Sequence, residues 1–580
     1  MQILPRRNIE VRRRAAGRFD HDSMHPKLRQ IYAARQVVSE DDIDYRLECL
    51  LTPQDLPGVD DAVEVLESKL RNNARILFIG DFDADGATSS ALGILALKAM
   101  GADHVGYLVP NRFDHGYGLS PEIVRIADQM RPDLLITVDN GIANVEGVEV
   151  ANSLGTPVII TDHHLPGERL PEAVAIVNPN LHGSAFSSRS LAGVGVIFYV
   201  MVALRSHLRK RGWFATRPQP NLGALLDLVA IGTVADVVPL DKNNRILVAN
   251  GLDRINMGRT RPGIAALLGF CHSRTGEITS SDLGFVVAPR LNAAGRLQDM
   301  SLGIECLLTD NQRQASRMAR ELDQLNKQRR EIESDMKTQA MEVIDKLQMS
   351  GDIEPGVCLY DKHWHQGIVG LIASRIKERI GKPVIAFARA NGRELKGSGR
   401  SIPGLHIRDV LNGIHTRYPD LIIRFGGHAA AAGLSLKEEN FPRFVEAFSQ
   451  EVRLHLHDDG EGDVIYSDGG LHDRDLSLDF ASLLKKSGPW GQQFPEPVFD
   501  DEFEVLDSRV VGHEHLKLTV RKREGGKVVD AIAFYHDKNW QRDDMKDGVR
   551  LVYRLDINEY QGVRKPQLIV QHLALLPGAA

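Results

Sequence analysis

Short apolar runs that end in acidic side chains mark the first half of the sequence. The run Ile76–Ile79 is followed by Asp81, Asp83 and Asp85 at alternating positions. Alternate residues of an extended segment point the same way, so we expect these carboxylates to converge at the carboxyl end of a strand. Crowded carboxylates repel one another and resist burial, which predicts a bound cation, and oxygen ligands suit Mg²⁺ or Mn²⁺. The alternative is that the aspartates only cap the helix that follows.

Two further apolar runs also end at potential metal ligands. Leu134–Val138 precedes Asp139, and Pro157–Ile160 is followed, after a threonine and an aspartate, by His163 and His164. Short apolar runs separated by helix-length segments predict parallel strands in βαβ units, whose ligand sites lie beyond the carboxyl ends of the strands. A histidine pair alone is more often structural. Imidazoles at the same sheet edge as four aspartates favour Mn²⁺ or a second metal.

The segment Leu225–Leu240 is almost wholly apolar and is therefore predicted to be buried. Asp227 and Asp236 are its only charged residues. A buried carboxylate is costly without a partner, so each is a candidate ligand or cap. Asp236, near the end of the segment, is the better candidate ligand, whereas Asp227 could equally hold a helix or loop.

The second half of the chain changes character. Residues 311–348 contain neither proline nor glycine, and their apolar residues recur at helical spacing, which predicts one long helix. The segments after it predict a small α/β unit in which glycines surround Ser398, Arg400 and His428. Ser398 and Arg400 lie two apart on an extended segment, so they share a face suited to phosphate oxygens. The alternative for the segment of Ser398 and Arg400 is a flexible turn, and the alternative for the glycine-rich segment of His428 is a tightly packed helix start.

The last 120 residues predict a small β-barrel such as an OB-fold. Five short segments read as strands: Val498–Leu506, His515–Lys522, Val528–His536, Arg550–Ile557 and Gln567–Leu573. Basic residues between 517 and 527 supply local positive charge, and OB-folds hold single strands by charge and base stacking. The candidate stacking residues, most of which could equally be core, are Phe534, Tyr535, Trp540 and Tyr553.

Composition narrows the class of protein. The 580 residues, 43% hydrophobic and 26% charged, are typical of a multidomain soluble protein. Four widely spaced cysteines predict reduced thiols in the cytosol, and no apolar run approaches the roughly 20 residues of a membrane span. The net charge of −6 argues against a generic nucleic-acid binder, although a nuclease needs only a local positive track. Met1–Arg18 is arginine-rich without the apolar core of a secretory signal, which predicts a surface arm able to touch phosphates.

The motifs, taken in order, resemble a known family. Asp-x-Asp-x-Asp-Gly at 81–86, Asp139, Asp-His-His at 162–164 and Asp236 in Gly-Thr-Val-Ala-Asp resemble the four motifs of the DHH phosphoesterase superfamily. Gly-Ser-Gly-Arg-Ser at 397–401 and Gly-Gly-His-Ala-Ala-Ala-Ala-Gly at 426–433 resemble the associated DHHA1 domain. With Pro-Arg-Leu-Asn-Ala-Ala-Gly-Arg at 289–296, the set is most similar to the bacterial single-strand-specific 5′→3′ DNA exonucleases of this superfamily.

The resemblance covers nearly the whole chain and implies its architecture. The fold class is α/β, with a parallel-sheet DHH domain joined by a long helix to a smaller α/β DHHA1 domain and followed by a C-terminal OB-fold β-barrel. The expected boundaries are an N-terminal arm over 1–45, the DHH domain over 46–305, the connecting helix over 306–350, the DHHA1 domain over 351–458 and the OB-fold over 459–580, with 458–463 as the clearest linker.

The resemblance also implies two-metal hydrolysis of phosphodiesters with release of 5′-mononucleotides. The implied ligands of two Mn²⁺ or Mg²⁺ ions are Asp81, Asp83, Asp85, Asp139, His163 and Asp236. The implied catalytic residues are Asp139, which bridges the ions, His164, which lies behind the ligands or at the phosphate, and His428. The implied substrate-binding residues are Arg112, Ser398, Arg400, His428, Arg290 and Arg296.

The implied substrate is single-stranded DNA with a 5′ end, in DNA repair and recombination. Single-strand-binding protein and a RecQ-type helicase are the implied partners of a monomeric cytoplasmic enzyme. The alternatives are a nano-RNase or cyclic-dinucleotide phosphodiesterase, which usually lacks the long helix and the barrel, and a catalytically dead single-strand-binding scaffold. The filled ligand positions argue against the scaffold.

Overall fold

The structure is a computed structural model that describes residues 9–15, 17–111, 118–271, 273, 276–350, 354–390, 392–455, 464–512, 515–523, 525–534 and 545–576. Arg112, Tyr535, Trp540 and the expected linker at 458–463 lie outside the described residues. The strands are β1 Glu10–Arg13, β2 Ile76–Ile79, β3 Val105–Leu108, β4 Leu134–Val138, β5 Val158–Thr161, β6 Ala175–Val177, β7 Val357–Asp361, β8 Val384–Arg389, β9 Glu394–Arg400, β10 Arg424–Gly427, β11 Ala431–Lys437, β12 Val464–Ser467, β13 Phe499–Val511, β14 His515–Lys522, β15 Val528–Ala533, β16 Val549–Tyr560 and β17 Val563–Leu575.

The helices complete the description of the elements. They are α1 Pro26–Ala33, α2 Val59–Arg71, α3 Ala84–Ala99, α4 Pro121–Asp128, α5 Val145–Ser153, α6 Gly193–Lys210, α7 Leu226–Ala235, α8 Lys242–Asn256, α9 Pro262–Leu268, α10 Ser280–Asp282, α11 Ala288–Leu297, α12 Ser301–Leu308, α13 Gln312–Ser350, α14 Val369–Ile380, α15 Ile407–Arg417, α16 Phe441–His455 and α17 Leu478–Lys486. A π-helical turn, Leu283–Val287, joins α10 to α11. Among the described residues, no helix is both long and apolar enough to cross a membrane.

The predicted parallel strands form one sheet in the order β3-β2-β4-β5-β6. β2, β4 and β5 are buried along their whole length because helices cover both faces, which explains their unbroken apolar sequence. Phe78 and Ile136 face one core, and Leu77 and Ile79 face a second core on the other side. The carboxyl ends of three strands therefore meet at one edge, as the sequence predicts.

The long helix α13 runs for 39 residues, about 58 Å at the usual rise per residue. Its first half packs through Leu322 against the core of the first domain. Its second half places Met336 and Ile344 in a separate core with Trp364 of the second lobe. A long connecting helix is therefore present and carries core residues of both domains, but it begins at Gln312 and not at residue 306, because residues 306–308 end the preceding helix α12.

The second lobe is built on a five-stranded sheet of order β10-β11-β9-β8-β7, in which only β7 and β8 are parallel. The glycine-rich segment 426–433 belongs to the hairpin of β10 and β11, so the alternative of a helix start is wrong. Gly427 has a φ of +143°, and a Cβ there would clash with the carbonyl oxygen of Ala431. A side chain cannot be accommodated at that turn, which explains the glycine.

The C-terminal strands close a barrel in the order β13-β14-β15-β17-β16. Several strands are longer than predicted, since β13 and β17 each have 13 residues. Tyr553 is fully buried in the barrel core, so it offers no stacking surface, whereas Phe534 is half exposed. Upstream of the barrel, β12 pairs in parallel with β1, so the N-terminal arm adds a strand beside this region.

Candidate metal centre

Three aspartates follow β2, but they do not share one extended segment as predicted: Asp81 lies in the loop, Asp83 is the N-cap of α3, and Asp85 is in the first turn of that helix. Asp83 Oδ1 accepts hydrogen bonds from the backbone N–H groups of Asp85 (2.9 Å) and Gly86 (3.1 Å) at the start of α3. Asp81 and Asp85 are buried. One oxygen of Asp83 therefore caps the helix α3, which was the alternative role predicted for these aspartates. This cap does not prevent the carboxylates from converging.

The helix α11 packs against this loop. Asn292 Oδ1 accepts a hydrogen bond of 2.8 Å from the backbone N–H of Ala84. A Cβ on Gly295 would clash with the carbonyl oxygen of Phe82, so only glycine lets the helix approach this closely. The motif at 289–296 thus positions the acidic loop, a role that the sequence analysis did not assign to Asn292 or Gly295.

Asp139 sits at the end of β4 in a strained conformation. Its φ is +61°, a left-handed value that is uncommon outside glycine. The neighbouring Asn140 amide donates to the carbonyl oxygens of Ile79 (3.0 Å) and Val138 (2.8 Å), which ties the ends of β2 and β4 together. A Cβ on Gly193 would lie 2.6 Å from Asp139 Cβ, so the start of α6 packs closely against Asp139.

Seven side chains with metal-ligating atoms converge on one region. Three groups have ligand atoms within 4.8 Å of one another: Asp81, Asp83 and Asp139; Asp85, His163 and Asp236; and Asp139, His163 and His164. The groups overlap through Asp139 and His163. His163 Nε2 lies 3.1 Å from Asp139 Oδ1 and 3.5 Å from Asp236 Oδ2. The structure therefore brings together all six predicted ligands and the second histidine of the pair.

Asp236 reaches this region from the end of α7. It is the C-cap residue of that helix, and Val237 after it has a φ of +58°. A β-branched residue with such a φ is strained, a feature that clusters at functional sites. Asp227, at the other end of α7, accepts a hydrogen bond from the Thr260 hydroxyl (2.8 Å) and one from the Arg261 backbone (3.3 Å). Asp227 therefore holds a loop, which was one of its two predicted roles.

Burial governs the protonation of these groups. It raises the pKa of Asp139 and Asp236 well above the usual range, and neighbouring carboxylate charges, Asp85 first, act in the same direction. Burial, with the charge of Asp83, raises the pKa of Asp85 to about 7. Burial and then the charge of His164 lower the pKa of His163 to about 4, so His163 is neutral, the form that binds metals.

A divalent cation fits this donor set. The carboxylates repel one another in the metal-free protein, and a dication would relieve that repulsion. The Nε2 atom of His163 is buried and makes no hydrogen bond to any residue that the structure describes. A neutral imidazole with a buried, unused nitrogen among carboxylate oxygens suits Mn²⁺, and the carboxylates alone suit Mg²⁺.

Asp85 also binds the first turn of α6. Its carboxylate accepts hydrogen bonds from the backbone N–H groups of Gly193 (2.6 Å) and Val194 (2.9 Å). A Cβ on Gly232 would lie 2.8 Å from Asp85 Oδ1. Gly232 therefore leaves room for the buried carboxylate of Asp85, and Gly193 supplies it with a backbone N–H donor. Neither glycine could be assigned a role from the sequence, because their function lies in contacts between distant segments.

Asp162 orients the histidine pair. Its Oδ1 atom accepts hydrogen bonds from His164 Nδ1 (2.7 Å) and from the backbone N–H groups of His163 and His164. Burial alone would lower the pKa of His164, but the hydrogen bond to Asp162 outweighs it and raises the pKa to about 9. His164 is therefore a cation near neutral pH, unlike His163. From the sequence, Asp162 is recognisable only as part of the Asp-His-His motif.

The second lobe contributes residues beside the metal centre. His428, in the turn between β10 and β11, stacks on His164 with ring centroids 5.8 Å apart. Arg400 Nη1 donates to Ser398 Oγ (3.1 Å) and to the carbonyl oxygen of Gly399 (2.8 Å). A Cβ on Gly370, in the first turn of α14, would lie 2.9 Å from Ser398 Oγ and 3.0 Å from Arg400 Nη2. Serine, arginine and a helix N-terminus therefore meet, an arrangement suited to a phosphate.

The remaining predicted substrate residues differ in their surroundings. Arg290 Nε donates a hydrogen bond of 2.9 Å to Asp323 Oδ1 of α13, and Arg290 Nη2 lies 2.7 Å from the same oxygen. Only 11% of the Arg290 side chain is exposed. These contacts give Arg290 a structural role between α11 and α13. Arg296 Nη1 donates to the carbonyl oxygen of Gly367 (3.2 Å), so it links the first domain to the second lobe. Arg112 lies outside the described residues.

Comparison with known proteins agrees with this architecture. Family models match three successive segments: the DHH family N-terminal domain over residues 75–233, the DHHA1 domain over 354–454 and the RecJ OB domain over 467–572. The single-stranded-DNA-specific exonuclease RecJ of Salmonella typhimurium is 52% identical over 552 residues, which cover 94% of this chain and 96% of that relative. The chain belongs to the RecJ family.

Solved RecJ structures are similar over nearly the whole chain. The crystal structure of RecJ in complex with Mn²⁺ from Thermus thermophilus has a TM-score of 0.77 and 29% identity, and the match covers 96% of this chain and 77% of that one. The Mg²⁺ complex of RecJ from the same organism has a TM-score of 0.73 and 28% identity, over 96% of this chain and 75% of that one. The ions of these two RecJ structures are those that the donor set here fits.

Proposed function

We propose that this RecJ-family chain is a metal-dependent, single-stranded-DNA-specific exonuclease that degrades its substrate from the 5′ end and releases 5′-mononucleotides. The observation that carries the proposal is the convergence of six carboxylate and imidazole ligands from four separate segments on one buried region. The near full-length similarity to a single-stranded-DNA-specific exonuclease supports the choice of substrate.

The ligands divide into two sets that share one member. Asp81, Asp83 and Asp139 would hold one ion, and the second ion would be held by Asp85, Asp139, His163 and Asp236. Asp85 can serve both a metal and the amides of α6, because each carboxylate oxygen has two lone pairs. When bound, the ions would lower the pKa of a water molecule and neutralise charge on the phosphate.

The histidines next to the ligands act on the substrate. His164 carries a positive charge that Asp162 holds in a fixed orientation, so it can donate a hydrogen bond to a phosphate oxygen. His428 stacks on it from the second lobe, and burial lowers its pKa. His428 is therefore neutral near pH 7, and it can contact the scissile phosphate only while the two lobes remain together. These residues orient the phosphate without ligating metal.

The direction of degradation, from the 5′ end, is attributed to the pocket beside α14. Ser398 and Arg400 would bind the terminal 5′-phosphate together with the helix N-terminus, and Arg112 is proposed to join them. A terminal phosphate carries more negative charge than a phosphodiester, so a cationic pocket next to the metal centre selects a strand end. Arg296, at the junction of the lobes, is proposed to contact the strand near this pocket.

The substrate and polarity can be tested together. With Mn²⁺, we expect 5′-phosphorylated single-stranded DNA to be degraded to mononucleotides, while blunt duplex DNA and RNA of the same sequence resist. Degradation of a 3′-labelled strand should release the label last. Preferential hydrolysis of dinucleotides or cyclic dinucleotides over long strands would instead favour the small-substrate phosphodiesterases. Strand binding without metal-dependent release would favour the inactive scaffold.

We further propose that the protein acts as a monomer in the cytoplasm, in DNA repair and recombination. In that setting, single-strand-binding protein and a RecQ-type helicase would supply the unwound strand. Co-purification from cells and light scattering test these proposals. A stable oligomer at micromolar concentration would contradict the monomeric state.

A further inference from the structure

A cavity of about 300 Å³ lies where the N-terminal arm meets the turn after β12. Among the residues that the structure describes, its lining includes three lysine or arginine side chains, two histidines and one carboxylate. These residues are Arg13, Lys27, Arg474, His25, His472 and Asp475. None of them belongs to the metal centre or to the pocket of Ser398 and Arg400. The charge of the lining therefore favours an anion.

Two of these cations lie close to the turn at Gly469. A Cβ built on Gly469, which has a φ of +79°, would lie 3.7 Å from Arg13 Nε and 3.7 Å from Lys27 Nζ. Lys27 Nζ donates to the carbonyl oxygen of Asp468 (2.7 Å) and is fixed in place. Burial lowers the pKa of Lys27, whereas the carboxylates of Asp468 and Asp501 raise it and the positive charge of Arg13 lowers it. A side chain at this position would therefore contact both positive groups, and glycine leaves that volume unfilled.

The nearby carboxylates already have other partners. Asp468 accepts two hydrogen bonds from Arg35 (2.8 and 3.0 Å) and one from the Val498 backbone (3.0 Å). Asp475 Oδ1 lies 3.3 Å from His25 Nε2 and 3.7 Å from Arg474 Nε. In contrast, the guanidinium of Arg13 forms no hydrogen bond or ion pair with any part of the chain that the structure describes. Among the described residues, the Arg13 guanidinium is therefore left available to an added anion, whereas Lys27 and Arg474 lie near Asp468 and Asp475.

The same turn is attached to the barrel. The Lys27 ammonium lies 5.7 Å from the ring centroid of Phe499 at the start of β13. The Lys522 ammonium of β14 donates to the carbonyl oxygen of Leu471, and the Lys527 backbone N–H donates to Asp473 Oδ1 (2.7 Å). The cavity therefore adjoins the start of β13 and the end of β14.

We propose that Arg13, Lys27 and Arg474 form a phosphate-binding subsite for the nucleic-acid strand that the barrel holds, separate from the metal centre. The proposal rests on the proposed function for the identity of the strand, single-stranded DNA. A nucleic-acid phosphate is favoured over an acidic peptide because the cavity adjoins the barrel and is at the small end of ligand sites, enough for a phosphate and its sugar. Arginine and lysine are the usual partners of strand phosphates.

The subsite can be tested through the salt dependence of binding. The double variant Arg13→Ala/Arg474→Ala removes two exposed cations, and Arg209→Ala/Arg379→Ala removes two exposed arginines elsewhere as the matched control. Binding of a labelled oligothymidylate of about 30 nucleotides, long enough for more than one site of an OB-fold, is measured by fluorescence anisotropy in EDTA across a range of salt concentrations. Each lost phosphate contact reduces the slope of log K against log salt by about 0.7, so we expect the slope to fall by about 1.4 in the test variant and to stay unchanged in the control.

Other results would overturn the subsite. An unchanged slope in the test variant, or an equal change in the control, removes it. Loss of binding to a labelled polyglutamate peptide with an unchanged DNA slope would assign the cavity to a protein partner instead. If the alanine variant does not fold, Arg13→Gln/Arg474→Gln keeps the side-chain stems and repeats the test. Mn²⁺-dependent hydrolysis by the unaltered protein is measured separately, so a failure of the proposed function is distinguished from a failure of the subsite.

Discussion

At the scale of single residues, His163 has the clearest ligand chemistry in the metal centre. It is neutral at physiological pH, it is buried, and its Nε2 atom lies between Asp139 and Asp236. His164, the next residue, is instead a cation held by Asp162. Two adjacent imidazoles therefore differ in charge because only one of them has a carboxylate hydrogen-bonded to its ring. This difference supports separate roles for the pair.

Replacement of His163 tests the first of these roles. His163→Ala removes a metal ligand, so we expect divalent-dependent hydrolysis to fall by at least about 100-fold while strand binding in EDTA stays within about twofold. Initial rates and anisotropy on the same oligonucleotide measure the two quantities. His182→Ala, on a loop of the same domain, is the control. Intact turnover by the His163 variant, with contamination excluded, would contradict its role.

A second residue-scale prediction concerns space rather than charge. Gly193→Ala would place a Cβ 2.6 Å from Asp139 Cβ, so Asp139 or α6 must shift. We expect a loss of about 1–3 kcal/mol in the free energy of unfolding, as for overpacked cores, and a weaker affinity for Mn²⁺. Gly167→Ala is the matched control, because a Cβ there meets nothing within 4 Å. Chemical denaturation and Mn²⁺ titration provide the measurements, and equal behaviour of the two variants would contradict the prediction.

At the scale of elements, the strands could be predicted from the sequence, but the contacts that hold the site residues in place could not. Buried parallel strands such as β4 are apolar along their length, and Asp236 stands out because it is one of two charges in an apolar segment. The contacts of Asn292 with the acidic loop and of Gly193 with Asp139 join segments that are far apart in the sequence. No local pattern encodes such contacts. The glycine-rich segment around His428 was also ambiguous, because glycine and alanine have no periodic pattern that separates a hairpin from a helix.

The hairpin of β10 and β11 offers an element-scale test. Gly427→Ala would clash with the Ala431 carbonyl oxygen and cannot keep a φ of +143° without strain, so the turn that carries His428 must move. We expect at least about a tenfold loss of turnover with little loss of fold, since the hairpin lies at the sheet edge. The adjacent Gly426→Ala, whose Cβ meets nothing within 4 Å, is the control.

Equal turnover by the two hairpin variants would contradict this prediction. If Gly426→Ala and Gly427→Ala have the same turnover on single-stranded DNA, the position of His428 does not limit the reaction. Circular dichroism would show that both variants keep their secondary structure. In that case His428 would be a stacking partner for His164 without a part in catalysis.

At the scale of the whole molecule, the catalytic domain and the barrel are not independent units. Tyr32 of the N-terminal arm stacks on Phe494 and packs beside Trp490, in the segment that leads into the barrel, and one apolar cluster contains all three with residues of the parallel sheet. The core of the second lobe is separate, and α13 connects it to the rest. Removal of the barrel would expose part of the shared core, so point variants on its surface are the better probe of strand binding.

The metal centre also predicts how the whole molecule responds to ions. Its buried carboxylates repel one another without a cation, so Mn²⁺ should stabilise the folded state more than the unfolded chain. We expect about 2.7 kcal/mol of stabilisation at an ion concentration about 100 times the Kd, lost again in EDTA. Calorimetry of the unaltered protein and of Asp83→Asn measures the effect. An equal shift in the two proteins would place the stabilising ions elsewhere.

The most direct measurement is anomalous diffraction from crystals of the protein grown with Mn²⁺. We expect two manganese peaks, one beside Asp81 and Asp83 and the other beside His163 and Asp236, with Asp139 in contact with both. Peaks elsewhere, or a region around Asp139 without manganese at saturating concentration, would contradict this expectation.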